Sequence, residues 1–336
     1  MSEKFHIAEV PVPGRVLTAP MSGVSDLPFR RAASRLGAPY VATEMVACET
    51  LASGRPDVVR RAATSDDIRL TVIQLVGREA DWIAKGAAIA EASGADIIDI
   101  NMGCPAREVT GGLSGSALMR DLDHAERLID AAVGATSRPV TLKMRLGWDA
   151  SSKNAPELAA RAEQAGVKAI TVHGRTRQQF FNGASDWRAI ADVKAATRLP
   201  VIVNGDIVDA ETARAALLQS GADAVMIGRA ALGKPWIASC VARALETGGA
   251  MVEPDLAKRL DIILDHFQDS LAFYGERLGL KTFRKHLARY IEDAPLDLPA
   301  PARRAAKAHL CALPDAHSVE RSLIALWREP QAAIAA

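Results

Sequence analysis

The first 230 residues of the chain alternate between two hydrophobic patterns. Short apolar runs rich in Val and Ile predict buried β-strands, and longer Ala-rich stretches with apolar positions three and four residues apart predict amphipathic helices. Eight runs predict strands, at residues 15–19, 40–44, 70–76, 96–101, 140–145, 169–173, 201–204 and 224–228. Five stretches between them predict helices, at residues 79–92, 121–133, 154–165, 187–195 and 209–219.

This order of strands and helices predicts a (β/α)8 barrel, the TIM-barrel fold. Glycines such as Gly94, Gly166 and Gly221 follow predicted helices and lead into the next strand, as expected of left-handed helix caps. A doubly wound parallel sheet is the alternative. It usually has fewer strands and a GxGxxG turn after the first one, and neither feature is present in this sequence.

Beyond Gly248 and Gly249 the pattern changes to helical periodicity only, at residues 255–272, 281–290, 300–311 and 318–327. We therefore predict a barrel domain at residues 1–248 and an all-α helical-bundle domain at residues 249–336. The second domain is locally basic between residues 277 and 309. Such a run predicts contacts with nucleic-acid phosphates, although a solvated helix face is the alternative.

Composition limits the classes of protein and partner. The formal net charge is +1, so no polyanionic partner is required by the chain as a whole. Its four cysteines are far apart and form no CxxC pair, which predicts neither a metal site nor a disulfide scaffold and fits a reducing cytoplasm. The polar first residues are unlike a signal peptide, and no apolar run has the length of a membrane span. We expect a cytoplasmic monomer.

A thiol follows the fourth predicted strand. Cys104 lies in the segment Asn101-Met102-Gly103-Cys104-Pro105, before a small-residue loop at residues 110–116. In barrels of this class the chemistry takes place at the carboxyl ends of the strands. Cys104 could be an acid, a nucleophile or a redox group there, and a small buried hydrophobe is the alternative.

Polar and glycine residues follow the other strands. Pro20, Met21 and Ser22 follow strand one; Gln74 lies in strand three; Lys143 and Arg145 end strand five; His173, Arg175 and Arg177 follow strand six; Asn204, Gly205 and Asp206 end strand seven; and Gly228 and Arg229 end strand eight. Loops after the last two strands of such barrels often bind phosphate. The set predicts a flat heterocycle with a phosphate tail beside a cation. Flavin mononucleotide (FMN) fits. Pyridoxal phosphate on Lys143 is the alternative, but it makes less use of Gln74 and Asn204.

These strand-end motifs closely resemble those of the tRNA-dihydrouridine synthases, and most closely the bacterial B branch. The resemblance runs in order from about Pro20 to the C-terminal helices. It implies an FMN-binding barrel with a helical domain that docks tRNA, and reduction of the C5–C6 bond of a uridine in the D loop with NADPH as electron donor.

The resemblance also implies residue roles. Cys104 would protonate C5 of the uracil. The FMN would be held by Pro20, Met21, Ser22, Gln74, Lys143, His173, Asn204, Gly205, Asp206, Gly228 and Arg229. The tRNA substrate would be bound by Asn101, which lies beside the base, and by Arg145, Arg175, Arg177, Arg284 and Lys285.

The sequence departs from the family pattern in two places, a residue pair and a single residue. Arg107 and Glu108 stand where the family often has a lysine pair, and Phe181 stands where a tyrosine is common.

A thiol with an ordinary pKa of about 8.5 is mostly protonated near neutral pH, so it suits the role of proton donor. Two rival functions remain: a dihydroorotate dehydrogenase-like flavin oxidoreductase, and a non-catalytic RNA-binding regulator built on an inherited barrel.

Overall fold

A closed eight-stranded parallel barrel forms the larger part of the computed structural model, which describes residues 5–330. Its strands are β3 (Val16–Thr18), β4 (Val41–Ala42), β5 (Val46–Ala47), β6 (Thr71–Val76), β7 (Ile97–Met102), β8 (Val140–Arg145), β9 (Ala169–His173), β10 (Val201–Asn204) and β11 (Ala224–Ile227). Pairing of β11 with β3 closes the barrel. Strand two is interrupted and consists of β4 and β5, which both pair with β6. The predicted barrel and its eight strands are confirmed.

Almost every position of strands β6 to β11 is buried, because one face of each strand points into the barrel and the other meets the surrounding helices. This two-sided burial explains the continuous Val and Ile runs in the sequence. An antiparallel hairpin of β1 (Phe5–Ile7) and β2 (Val10–Val12) was not predicted. Its apolar side chains pack with residues at the starts of the strands, so the hairpin covers the amino-terminal end of the barrel.

The helices in the barrel part are α1 (Leu27–Arg35), α2 (Cys48–Ala52), α3 (Pro56–Arg61), α4 (Ala80–Ala92), α5 (Arg107–Thr110), α6 (Leu122–Val133), α7 (Ala155–Gln164), α8 (Ala189–Ala196), α9 (Ala210–Ser220) and α10 (Ile237–Thr247). The five predicted helices match α4 and α6 to α9. Two 3-10 segments occur at Gly115–Arg120 and Arg229–Ala231.

The C-terminal helices are α11 (Leu256–Tyr274), α12 (Glu276–Asp293), α13 (Ala300–Ala312) and α14 (Ala316–Arg328), as predicted. They share a second hydrophobic core, which also includes Trp236 from the barrel side of the predicted boundary. The division at residue 248 stays a prediction. Within residues 5–330, every helix is too short or too polar to cross a lipid bilayer.

The helical part packs against α1. Arg35 pairs with Asp269 of α11 at 2.8 Å, and the Tyr274 hydroxyl donates to Asp26, the N-cap residue of α1, at 3.1 Å. Since α1 directly follows the loop after β3, the helical part lies against the strand-one side of the barrel mouth.

Candidate active site

The segment that carries Cys104 is held from both sides. The side-chain oxygen of Asn101 accepts hydrogen bonds from the backbone N–H groups of Gly103 at 3.1 Å and Cys104 at 2.9 Å. On the other side, the carbonyl of Cys104 accepts from the backbone N–H of Ser116 at 3.1 Å and from its hydroxyl at 2.8 Å. Gly115 approaches so closely that a Cβ there would lie 2.9 Å from the Cys104 carbonyl oxygen. These contacts fix the thiol at the mouth of the barrel.

The Cys104 thiol is partly exposed and favours the protonated form. Burial raises its pKa above the ordinary 9.0, while the positive charges of Arg145 and Lys143 act in the opposite direction. The thiol is therefore neutral near pH 7 and has a proton to donate. Of the roles left open by the sequence, this state fits a general acid better than a thiolate nucleophile.

A chain of buried polar side chains crosses the neighbouring strands. The Thr141 hydroxyl donates to Asp99 at 2.6 Å, Gln74 donates to the same carboxylate at 2.7 Å, and Asn101 donates to the Gln74 carbonyl at 2.8 Å. Burial raises the pKa of Asp99 to about 6, against the lowering effect of its hydrogen bonds. The sequence analysis missed Asp99, although its place two residues before Asn101 puts both side chains on the same face of β7.

Lys143 is a buried cation without a carboxylate partner at ion-pair distance in residues 5–330. Its ammonium donates to the Asn204 side chain at 3.1 Å, and Asn204 donates in turn to the Met226 carbonyl at 2.8 Å. Burial, reinforced by the charge of Arg145, lowers the pKa of Lys143 to about 8. A cation in this setting is stabilised by any anionic group that enters the mouth.

The ends of strands six to eight are also electropositive. Burial lowers the pKa of His173 well below 6.5, and four cations, Lys143, Arg145, Arg175 and Arg229, lower it further. His173 is therefore neutral at pH 7, and its ring can both donate and accept hydrogen bonds.

Strands seven and eight end in backbone that is open to a ligand. In the part of the chain that the structure describes, the N–H groups of Gly205 and Gly228 make no hydrogen bond. Asp206 adopts a left-handed backbone with φ of 55° and accepts a hydrogen bond from the exposed Arg229 at 3.2 Å. Free N–H groups beside an exposed guanidinium are suited to a phosphate.

The loop after β3 forms the opposite side of the mouth. The Met21 N–H donates to Ser25 at 2.9 Å, Ser22 is exposed, and the Gly23 N–H donates to the Glu44 carboxylate. Lys285 of α12 reaches this loop, because a Cβ on Gly23 would lie 3.3 Å from its ammonium. The helical part thus contributes a cation to the rim beside Pro20–Ser22.

Two arginines that the sequence assigned to substrate binding make several hydrogen bonds within the protein. Arg145 and Arg175 have only 1% and 2% of their surface exposed. Arg145 donates to the carbonyls of Gly103, Thr176 and Phe180, and Arg175 binds the Asp206 carboxylate and the carbonyls of Asn182 and Gly183. Both therefore hold loops at the barrel mouth in place, and their contact with the substrate stays a prediction.

Asn101 and Arg284, which were also assigned to substrate binding, make contacts within the protein as well. The Asn101 amide bonds to Gln74 and to the Cys104 segment, so it positions the thiol, and its contact with a substrate base stays a prediction. Arg284 is half-buried and donates to the Leu313 carbonyl at 3.0 Å, and its buried Nε has no partner among residues 5–330. Arg177, the remaining arginine of this set, is partly exposed at the edge of the mouth.

The Phe181 ring lies at the barrel mouth and lacks the hydroxyl that a tyrosine would carry there. The Arg229 guanidinium lies 4.9 Å from its ring centre and the His173 ring lies 6.3 Å away. The Phe181 ring therefore covers the phosphate-competent end of the site.

One cluster between α1 and the helical part brings possible metal ligands together. The ligand atoms of Asp26, His266 and His286 lie within 4.8 Å of one another. The ammonium of Lys285 faces all three and lowers the pKa of each, in addition to the effect of burial on the two histidines. A positive charge at this position opposes a divalent cation, so we assign no metal to the cluster.

Comparison with known proteins places the chain in a family. The family model described as dihydrouridine synthase (Dus) matches residues 17–313. A Rhodobacter capsulatus protein named "Probable tRNA-dihydrouridine synthase" is 54% identical, over 86% of this chain and 90% of its own. The "tRNA-dihydrouridine synthase B" of Xanthomonas axonopodis pv. citri is 42% identical, over 87% and 88% of the two chains.

Solved structures agree on the barrel alone. A morphinone reductase mutant in complex with tetrahydroNAD aligns with a TM-score of 0.52 and 16% identity, over 76% of this chain and 93% of its own. Histamine dehydrogenase from a Rhizobium species aligns with a TM-score of 0.57 and 13% identity, over 80% and 50%. From the match over residues 17–313 and the identity to these relatives, we conclude that the chain belongs to the dihydrouridine synthase family.

Proposed function

We propose that the protein is an FMN- and NADPH-dependent tRNA-dihydrouridine synthase that reduces the C5–C6 bond of a uridine in the D loop of tRNA. The observation that carries this proposal is the position of the Cys104 segment, which Asn101 and Ser116 hold at the same barrel mouth as the buried Lys143 ammonium. Membership of the dihydrouridine synthase family supports the reaction, and the names of its relatives support tRNA as the substrate.

The residues at the mouth fit FMN. The N–H groups of Gly205 and Gly228, with the Arg229 guanidinium, are suited to the phosphate. The buried Lys143 ammonium has no carboxylate partner, and it suits the N1–C2=O edge of an isoalloxazine, where negative charge gathers on reduction. We assign the rest of the ring to Pro20, Met21, Ser22, Gln74, His173, Asn204 and Asp206. Bound FMN would supply a hydride to C6 of the uracil, and NADPH would renew it.

Cys104 supplies the proton. When a hydride is added to C6, electron density moves toward C5 and O4, and C5 must then be protonated. The Cys104 thiol donates that proton and becomes a thiolate, which the nearby charges of Arg145 and Lys143 stabilise until solvent protonates it again. Asn101 and Ser116 keep the thiol in position during the transfer.

The helical part, residues 249–336, is the tRNA-binding domain in this proposal. Ion pairs neutralise part of its basic run, since Arg289 pairs with Asp293 at 3.1 Å and Lys307 pairs with Glu292. Arg277, Lys281 and Arg304 stay exposed, and Lys285 lies at the rim of the barrel mouth. Contacts between these cations and phosphates would offset the few kcal/mol that a base loses when it leaves its stack.

The test uses the purified full chain with FMN, NADPH and unmodified tRNA, and mass spectrometry measures dihydrouridine in the product. We expect a yellow protein that forms dihydrouridine only when NADPH is present. A protein that oxidises dihydroorotate and leaves tRNA unchanged would support the dihydroorotate dehydrogenase alternative. A protein that stays colourless with added flavin but binds RNA would support the non-catalytic regulator.

A further inference from the structure

A second cationic surface lies across the barrel mouth from the helical part. It is formed by Arg107, Arg120, Trp148, Arg177 and Phe180, and we call it the far-rim surface. Its residues come from loops that follow β7, β8 and β9, which are barrel strands four, five and six. The helical part packs on the strand-one side. Strand five is opposite strand one in the observed strand order, so the two surfaces flank the mouth from opposite sides.

The far-rim surface stacks charged and aromatic groups in layers. The guanidinium of Arg177 lies 4.8 Å from the ring centre of Trp148, and that of Arg120 lies 4.9 Å from the same ring. Guanidinium planes held in this way keep their edges available for phosphate oxygens and their faces available for nucleobases.

A cavity of about 470 Å³ opens beside this stack, lined by Ala106, Arg107, Glu108, Arg177, Gln178 and Phe180. Phe180 is a large apolar residue, yet 39% of its surface is exposed to solvent. Its backbone is left-handed with φ of 55°, and Arg145 binds its carbonyl at 2.8 Å. Buried Arg145 thus holds a strained residue that turns its ring toward the cavity.

The charges of this surface are not neutralised by the part of the chain that the structure describes. Arg175 and Arg229 each pair with Asp206. In contrast, Arg107, Arg120 and Arg177 have no carboxylate at ion-pair distance among residues 5–330. The buried Nε of Arg177 also lacks a hydrogen-bond partner there. An unpaired buried donor beside an open cavity is satisfied when an acceptor enters it.

We propose that the far-rim surface binds the single-stranded RNA next to the target uridine. One flanking nucleotide occupies the cavity with its base against Phe180, and Arg107, Arg120 and Arg177 contact the phosphates. A cavity of this size holds one nucleotide, and a series of cations and π-faces is typical of surfaces that bind single strands. The inference rests on the proposed function. It gives the barrel its own binding surface for the tRNA, in addition to that of the helical part.

Glu108 gives the cavity a preference for one kind of base. It is the carboxylate among the residues that line the cavity, at a position where the family often has a cation. It disfavours a phosphate beside it and accepts hydrogen bonds from base N–H groups, of which guanine presents two on one edge. We therefore infer that a guanine is favoured in the cavity over a uracil.

The main test removes charge from the far-rim surface while keeping polar, hydrogen-bonding side chains. In the full-length holoenzyme, the Arg107→Gln/Arg120→Gln double variant should bind unmodified tRNA roughly tenfold to a hundredfold more weakly, and the slope of log affinity against log salt should fall by roughly 1–2. The matched control is Arg198→Gln, whose side chain is 97% exposed and lies at the amino-terminal end of the barrel, just before β10. Control and wild type should bind alike. A double variant that also binds like wild type overturns the proposal.

The stacking contact is tested separately. Phe180→Leu should weaken tRNA binding by roughly fivefold to a hundredfold, because base–aromatic stacking is lost, whereas Phe180→Tyr should restore it. Replacing a guanine that flanks the target uridine by uracil should weaken binding to wild type, and it should have no effect on Glu108→Gln. Equal affinities of the Leu and Tyr variants contradict the stacking role of Phe180.

Anaerobic reduction of the bound flavin by NADPH, without tRNA, separates the nicotinamide nucleotide from RNA as the occupant. The double variant should be reduced at the rate of wild type. A slower reduction with unchanged tRNA affinity would assign the surface to NADPH and overturn the proposal. If wild type itself neither binds nor modifies tRNA, the proposed function fails; if wild type does both and the variants match the control, this inference alone fails.

Discussion

Cys104 is the residue on which the proposed chemistry depends. Because its thiol is the proton donor, Cys104→Ala should keep flavin absorbance and tRNA affinity but lose roughly 10²–10⁴-fold in turnover. Single-turnover formation of dihydrouridine by the reduced enzyme measures the effect directly. Cys311→Ala is the matched control, since Cys311 is a partly exposed thiol in the helical part and its loss should leave turnover unchanged. Full activity in Cys104→Ala would refute the acid assignment.

Lys143 should make ligand binding depend on pH. Its pKa is lowered by burial to about 8, so the ammonium loses its proton as pH rises through that value. An anionic ligand favours the charged form, and its affinity should therefore fall above pH 8. Titration of the flavin-free protein with FMN between pH 7 and 9.5 measures this trend. Lys143→Gln should bind FMN more weakly with a flatter pH profile; an unchanged profile would contradict the contact.

Among the structural elements, the barrel strands could be predicted from the sequence. Because both faces of each strand are buried, the strands occur in the sequence as uninterrupted runs of Val and Ile. The short helices α2, α3 and α5 have six residues or fewer, too few to show a 3.6-residue period. The hairpin of β1 and β2 has three-residue strands and is held by packing against the amino-terminal end of the barrel. Such elements depend on tertiary contacts that no local pattern records.

The loop that includes the 3-10 segment Gly115–Arg120 is specified by a glycine. Gly115 has φ of +59°, and a Cβ there would meet the Cys104 carbonyl at 2.9 Å. Gly94 also has a positive φ, of +88°, but open space around it. Both Gly→Ala variants should lose roughly 1 kcal/mol of stability through backbone strain, measured by urea unfolding.

Only the first of these variants should also move the thiol. Gly115→Ala should lose roughly tenfold to a hundredfold in turnover, because a shift of about 1 Å in a reacting group has effects of this size. Equal turnover of the Gly115→Ala and Gly94→Ala proteins would mean that the close approach does not position Cys104.

For the site, sequence identified which side chains gather at the mouth but not which of them are free. The charge of Arg175 is visible in the sequence. Its burial arises because residues 182 and 183 fold back to accept its hydrogen bonds while Asp206 comes from another strand end. The burial of Arg175 therefore depends on contacts among three separate segments of the chain. The same holds for Asn101, which is occupied by Gln74 from the adjacent strand.

At the scale of the whole molecule, a buried polar seam joins the barrel to the helical part. Burial raises the pKa of Asp26 to about 6, so between pH 4 and 6 the folded state holds more protons than the unfolded state. The contribution of Asp26 to stability is therefore complete below pH 4 and lost as pH rises through 6. Relative to Asp26→Asn, wild type should lose on the order of 2–3 kcal/mol over this range.

Urea unfolding of both proteins at several pH values measures that difference. Asp67, an exposed carboxylate that pairs with arginines of α1, gives a pH dependence of the opposite sign, because hydrogen bonds from Arg31 and Arg35 hold its pKa at about 2. Relative to Asp67→Asn, wild type should gain stability as pH rises from 2 to 5. A stability difference between wild type and Asp26→Asn that is constant with pH would contradict the buried carboxylic acid.

The Asn101 amide has a consequence for how the two sides of the barrel mouth are connected. Its nitrogen grips Gln74 and its oxygen grips the backbone that carries Cys104. A ligand that turns the Gln74 amide would change the hydrogen bond that this planar group accepts or donates on the side away from Cys104. The segment that carries Cys104 is therefore linked through one amide to a side chain of β6, so the cofactor side and the acid side of the mouth share a hydrogen-bond network.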